Sequence, residues 1–173
     1  MELQQPSWSR ANSMTQSFSL RDAVPGDEAL VLGFVRELAE YEKLLHEVHA
    51  TEADFSAALF GPRPAIGALI VEQDGAPVGF AVWYFAFSTF HGARTLYVED
   101  VFVRPALRGG GIGRAIFRHL AQHAVAQGCR RMAWMVLDWN APSIGFYRGL
   151  GAQPVEGWTT YGLEGAALAA LAD

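Results

Sequence analysis

The spacing of apolar residues changes period several times along the chain, and each change marks an element. Residues 18–21 alternate as a short strand. Pro25 then supplies the fixed φ of a helix start, with acidic Asp27 and Glu28 in the first turn. Leu30, Phe34, Leu38 and Tyr41 recur at helical spacing while Arg36, Glu37 and Glu40 fall off that line, which predicts a helix to about Tyr41 with one face for the core. Thr51 followed by Asp54 has the form of a capping box with Asp in place of Glu, and opens a short helix ending near Phe60 at the Gly61-Pro62 turn. Strands are predicted over 68–72, 78–87 and 95–103. Asp74-Gly75 between the first two is a hairpin signal, and the short connections predict an antiparallel meander. A glycine-rich stretch over 108–113 starts a third helix, which runs to Gln127 and stops at Gly128. A strand over 132–137, a helix over 142–150 closed by Gly151, and a last strand over 155–163 with a small-residue tail complete the order βααβββαβαβ. This is an α/β (α+β) pattern, predicted to form one domain over 18–173 behind a loose, flexible extension over 1–17.

Composition narrows the class. Of 173 residues, 51% are apolar and 18% charged, which is ample material for one core and too little charge for disorder. Thirteen basic against eighteen acidic residues leave a net charge of −5, which argues against a nucleic-acid partner, whose phosphate backbone calls for clustered positive charge. The single cysteine, Cys129, cannot close an internal disulfide, and without CxxC pairs for a metal the chain fits a reducing, cytoplasmic compartment. The first seventeen residues lack the apolar segment of a secretory signal, and the longest apolar run, 78–87, is about half the ~20 residues that span a bilayer, so no membrane association is expected.

The informative segment is strand, then Arg108-Gly109-Gly110-Gly111-Ile112-Gly113, then helix. Glycines at a helix N-terminus let backbone amides approach an anion, which the positive end of the helix dipole also favours. A nucleotide triphosphate loop needs GxxxxGK[ST], and neither a lysine nor a hydroxyl follows Gly113. The dinucleotide fingerprint GxGxxG fails as well, because its sixth position is Arg114 counted from Gly109 and Ile116 counted from Gly111.

What remains is RxxGxG, carried by Arg108, Gly111 and Gly113. With YVEDVFVRPALRGGGIG before the third helix, WNAPSIGFYRGLGA after the following strand, ELAEYEK in the first helix and EGW near the end, the chain resembles the GNAT N-acetyltransferase superfamily, and within it the diamine (spermidine/spermine-like) acetyltransferases, over roughly 18–168. The resemblance implies a mixed, mostly antiparallel central sheet flanked by helices, with a splayed strand pair at the acyl-CoA site. It implies acetyl-CoA as co-substrate, no metal, and a two-fold homodimer. Val101, Phe102 and Val103 would pair with the pantetheine arm. The amides of Arg108, Gly109, Gly110, Gly111, Ile112, Gly113 and Arg114 would face the pyrophosphate.

Acyl transfer to an amine needs a base for a group whose reference pKa is ~10.4, and an acid for the departing thiolate. Tyr147 matches the family's acid, and Glu99 its proposed base, acting directly or through water. Asp100 would point to the opposite face of a regular strand, and it is assigned to substrate binding, one of the two carboxylates serving to anchor the substrate cation. Asn140 reads as a helix N-cap, a CoA contact, or both. Tyr41, Glu42, Glu156 and Trp158 match positions near the amine pocket, where carboxylates and aromatics suit a cationic chain. Ser88-Thr89-Phe90 stands where the polyamine enzymes carry an acidic residue and a tryptophan, which favours a short diamine or basic amino acid such as a lysine analogue over spermine. A peptide or protein amine, or a non-catalytic acyl-CoA-binding module, are the alternatives. His119 and His123 have the spacing of a metal pair but share their side with Arg118, Gln122 and Gln127, so they read as a solvated polar face. Cys129 reads as a core-edge residue, and Trp83, Phe85 and Phe87 as packing or subunit-contact residues.

Overall fold

The computed structural model describes residues 17–172. The expected extension over 1–17 lies, but for its last residue, outside the described residues. The described residues form two compact units, 17–135 and 136–172. The first is built on a five-stranded sheet in sequential order: β1 (Phe18–Asp22), β2 (Gly67–Gln73), β3 (Ala76–Ser88), β4 (Ala93–Val103) and β5 (Arg131–Ala133). β1 to β4 form the antiparallel meander expected from their short connections, and β5 runs parallel to β4.

Period-two alternation gives the sheet two apolar faces, and a different set of helices covers each. On one face Ala68, Ile70, Phe80, Val82 and Phe102 pack with Val31 and Phe34 of α1 (Glu28–Glu42) and Leu59 of α2 (Glu52–Phe60). On the other, Leu69, Val71, Ala81, Trp83, Leu96, Val98 and Val103 pack with Ile112, Ile116, Leu120 and Ala124 of α3 (Ile112–Ala126). Phe34 stacks on Phe80 with ring centroids 5.4 Å apart. Truncating such a buried ring costs about 3–5 kcal/mol, so this contact fixes α1 on the sheet.

Local signals account for the element ends. Thr51 and Asp54 cap α2 reciprocally, the Asp54 amide donating to Thr51 Oγ1 at 3.3 Å and the Thr51 amide to Asp54 Oδ2 at 2.8 Å. Asp74 and Gly75 both take positive φ (53° and 76°), as a tight turn between right-twisted strands requires. Asp27 sits at the N-cap of α1 without capping it, because its carboxylate accepts instead from Arg21 Nη1 and Nη2 at 2.6 and 3.0 Å and from the Val24 amide at 2.8 Å.

Two expectations need correction. The strand over 132–137 is only Arg131–Ala133, and the segment over 155–163 forms no strand. The second unit holds α4 (Ala141–Gly149) and α5 (Gly165–Ala172), and every residue over 153–172 is exposed. Alternating apolar residues make a strand only where another strand offers a hydrogen-bonding edge, and a run of alanine and leucine such as α5 closes its bonds internally.

Candidate active site

The decisive feature of β4 is a bulge. Trp83 of β3 faces Val98 and Val82 faces Asp100, which leaves Glu99 as an extra residue in the ladder. Val98 before it and Val101 after it both pack on the α3 face, whereas Val82 and Phe102 belong to the α1 face. Glu99 and Asp100 therefore lie together on the α1 face, beside Tyr97 and its cross-strand partner Tyr84, whose rings stand 5.0 Å apart. The expectation that Asp100 points away from Glu99 held only for a regular strand, and the extra residue overturns it.

The result is a group of carboxylates at close quarters. Asp100 is half-buried, and its pKa is pushed up to about 6 by burial first, then by the charges of Glu99 and of Glu42 at the end of α1. Burial also raises the Glu42 carboxyl above its usual range. Burial and the charge of Glu99 keep the Tyr84 phenol protonated beyond its ordinary pKa, and Tyr97 behaves likewise, with Tyr84 adding to the effect. Among the described residues, none of the three carboxylates has an ion-pair partner. Such an arrangement is electrostatically complementary to a cation and can take up a proton near neutral pH.

β4 also presents an open edge. It pairs with β5 only from Thr95↔Arg131 to Tyr97↔Ala133, so among the described residues its ladder to β5 ends before Val101, Phe102 and Val103. After β4 the chain makes a 3₁₀ turn at Pro105–Leu107 and enters the glycine loop. Gly109 and Gly111 both adopt φ of +86°, and no atom would meet a Cβ on either, so glycine is required there by backbone conformation and not by crowding. Gly111 is the N-cap of α3, and the Ala115 amide donates to its carbonyl at 3.0 Å. The amides of Ile112 and Gly113 precede that bond and open the helix toward an anion. The exposed loop, the dipole end of α3 and the bare strand edge fit an acyl-CoA. The Arg108 amide is engaged otherwise, donating to the Pro105 carbonyl at 3.2 Å, so it drops out of the expected run of phosphate-facing amides.

In the second unit, Asn140 is buried and caps α4, its Oδ1 accepting from the Ser143 amide at 3.3 Å. Tyr147 is half-buried in the same helix. Glu156 and Trp158 are exposed in the segment without regular structure. No group of three or more His, Cys, Asp or Glu residues that could hold a metal is present among the described residues, and no helix described is long and apolar enough to cross a membrane. His123 departs from the solvated face expected of it: its ring lies 5.6 Å from both Trp83 and Phe85. Cys129 packs against the α3-side core, and burial raises its thiol pKa.

Sequence reasoning missed Tyr84, Tyr97 and the bulge. One signal was available: apolar Leu96 and Val98 are followed by Val101 and Val103, a slip of one residue in the alternation.

The acetyltransferase (GNAT) family model matches residues 33–152. The chain is 40% identical to the thialysine N-epsilon-acetyltransferase of Bos taurus, over 88% of this chain and 96% of that protein. It is 35% identical to spermidine/spermine N(1)-acetyltransferase-like protein 1 of Homo sapiens, over 82% of this chain and 22% of the longer human protein. Among solved structures, an integron cassette protein from the mobile metagenome of V. cholerae superposes with a TM-score of 0.75 at 26% identity, covering 90% of this chain and 98% of that one.

Proposed function

The chain belongs to the acetyltransferase (GNAT) family, and we propose that, as an acetyltransferase of that family, it moves the acetyl group of acetyl-CoA directly to a primary amine of a small diamine or basic amino acid. The observation that carries the substrate class is the bulge that gathers Glu99 and Asp100 on one face with Glu42 near them, all without a cationic partner. Names of the relatives, which specify thialysine and spermidine or spermine, point the same way.

In this reading the bare edge of β4 at Val101, Phe102 and Val103 and the amides at the start of α3 hold acetyl-CoA, which supplies the acetyl group as a thioester. The Glu99/Asp100 pair accepts the proton of the attacking amine, with exposed Glu99 meeting it first, directly or through water. Glu42 and Tyr41 hold the second cationic group, with Glu156 and Trp158 assigned to the same task. Tyr147 donates its phenolic proton to the departing sulfur, and Asn140 sets the start of the helix that carries it. The family match runs over 33–152, across the boundary between the two compact units, which supports one working domain over 18–173. Among the described residues the exposed segment over 155–163 has no strand partner, which supports a homodimer in which a second copy supplies one, and the single Cys129 supports a reducing, cytoplasmic setting.

The test is a thiol-release assay with acetyl-CoA across diaminoalkanes, thialysine, spermine and a peptide amine. Turnover with short diamines supports the reading. Tight CoA binding without turnover on any amine supports a non-catalytic module instead, and a tenfold preference for the peptide supports a protein acetyltransferase. Tyr147→Phe is expected to lower kcat by about 10²–10⁴-fold with little change in CoA affinity, the range of general acid catalysis. Light scattering at the monomer mass of 18.9 kDa would contradict the dimer.

A further inference from the structure

The arginine that opens the glycine loop does not reach outward with the loop. Arg108 Nε donates to the Val103 carbonyl at 2.9 Å, back onto the end of β4. Its guanidinium lies 4.6 Å from the centroid of the Tyr41 ring at the end of α1 and 5.6 Å from that of Phe102. One side chain thus bridges three elements: the loop assigned to acetyl-CoA, the strand that carries Glu99 and Asp100, and the last turn of α1 that carries Tyr41 and Glu42.

That last turn needs such a support. α1 ends on Lys43, a non-glycine residue with φ of 63°, and its closing bonds run from the Lys43 amide to the Glu40 carbonyl at 3.1 Å and from the Leu44 amide to the Ala39 carbonyl at 2.8 Å. A left-handed residue other than glycine is strained, so contacts nearby must hold it. A planar guanidinium can stack on a ring and donate in its own plane at the same time, which an ammonium cannot do.

We propose that Arg108 is a positioning residue for the amine pocket, a strut that holds Tyr41 and Glu42 against β4, and not a ligand of the phosphates. The inference rests on the acetyl-CoA and amine reading given above for its kinetic consequence, but its structural consequence can be measured without any ligand.

The experiment compares Arg108→Ala, Arg108→Lys, Tyr41→Leu and Tyr41→Phe with the full-length wild-type chain. Hydrogen exchange of the Lys43 and Leu44 amides, measured ligand-free, is expected to quicken by about tenfold in the first three, the loss of one partly exposed cation–π contact, and to stay at the wild-type rate in Tyr41→Phe, which keeps the ring. Amine KM is expected to rise by about tenfold in the same three variants while kcat stays within about threefold, and acetyl-CoA Kd is expected to stay within about threefold. Failure of Arg108→Lys to restore KM supports stacking over simple charge. Unchanged exchange in both Arg108 variants overturns the strut whatever the enzyme does. A tenfold loss of acetyl-CoA affinity with unchanged amine KM also overturns it and makes the guanidinium a phosphate ligand. If the wild type neither binds acetyl-CoA nor acetylates any amine, the proposed function fails, while the exchange rates still decide whether Arg108 holds α1.

Discussion

Two sets of carboxylates stand on the α1 side of this protein, and their surroundings separate them by role. Asp27 and Glu72 are bound by Arg21, and Glu37 by Arg104, at 2.6–2.8 Å. Hydrogen bonds from Arg21 and Arg104 hold the Asp27 and Glu37 carboxyls below their usual range despite partial burial. Glu42 and Asp100 have no such partner among the described residues, and burial drives both upward. The first set joins β1, β2 and α1, and Arg104 additionally donates to the Pro77 carbonyl at 2.9 Å and lies 5.2 Å from the Phe34 ring centroid. Architecture satisfies those charges internally. The second set has no such internal partner among the described residues, and in the proposed function a cationic substrate would supply it.

The largest effect is expected at the bulge. Neutralising both residues there, Glu99→Gln with Asp100→Asn, is expected to lower kcat/KM for a short diamine by about 10²–10⁴-fold, because base and charge are lost together. Retained activity would place the base elsewhere. Arg21→Met removes a partner of the other set. It is expected to cost about 1–2 kcal/mol of stability in denaturant titration, since the mostly buried Asp27 is left with an uncompensated charge, and to leave kcat/KM unchanged. An activity loss without a stability loss would merge the two sets.

The smallest effect sharpens the contrast through pH. Asp100 has a folded pKa of about 6, above its unfolded value of ~3.9, so the native state binds the extra proton and stability falls as pH rises through that window. Asp100→Asn is therefore expected to raise Tm by a few degrees at pH 7.5 and by much less at pH 4. Asp27 has the opposite sign: its pKa is lowered, its stabilisation is present above the unfolded value, and it is lost on acidification. A variant at Asp100 that is less stable at pH 7.5 would show that its carboxylate is a structural partner after all.

Much of this was legible in the residues because the signals were local. The capping box at Thr51 and Asp54, the Asp74-Gly75 turn, the helical spacing of Leu30 and Phe34, and the glycine loop each act within a few positions. What was not legible depended on partners far along the chain. The strand pattern over 155–163 finds no ladder, and β5 ends at Ala133, because pairing is decided by which edge is open and not by alternation. The bulge moved Asp100 from the face assigned to it, and the phase slip between Val98 and Val101 was its only trace in the sequence. For Arg108 only the backbone amide was assigned, with its loop, and nothing local announced that the side chain turns back to Tyr41 and Val103.

If unpartnered carboxylates near the bulge select an amine carrying a second positive charge, acceptors with and without that charge must react at different rates. The direct measurement is kcat/KM for two acceptors of equal length under one set of conditions, a diaminoalkane and the corresponding monoaminoalkane. The diamine is expected to be preferred by at least about thirtyfold, or about 2 kcal/mol of transition-state discrimination, reduced to near parity in the Glu42→Gln, Asp100→Asn double variant. Equal kcat/KM for the two amines in the wild type would contradict it.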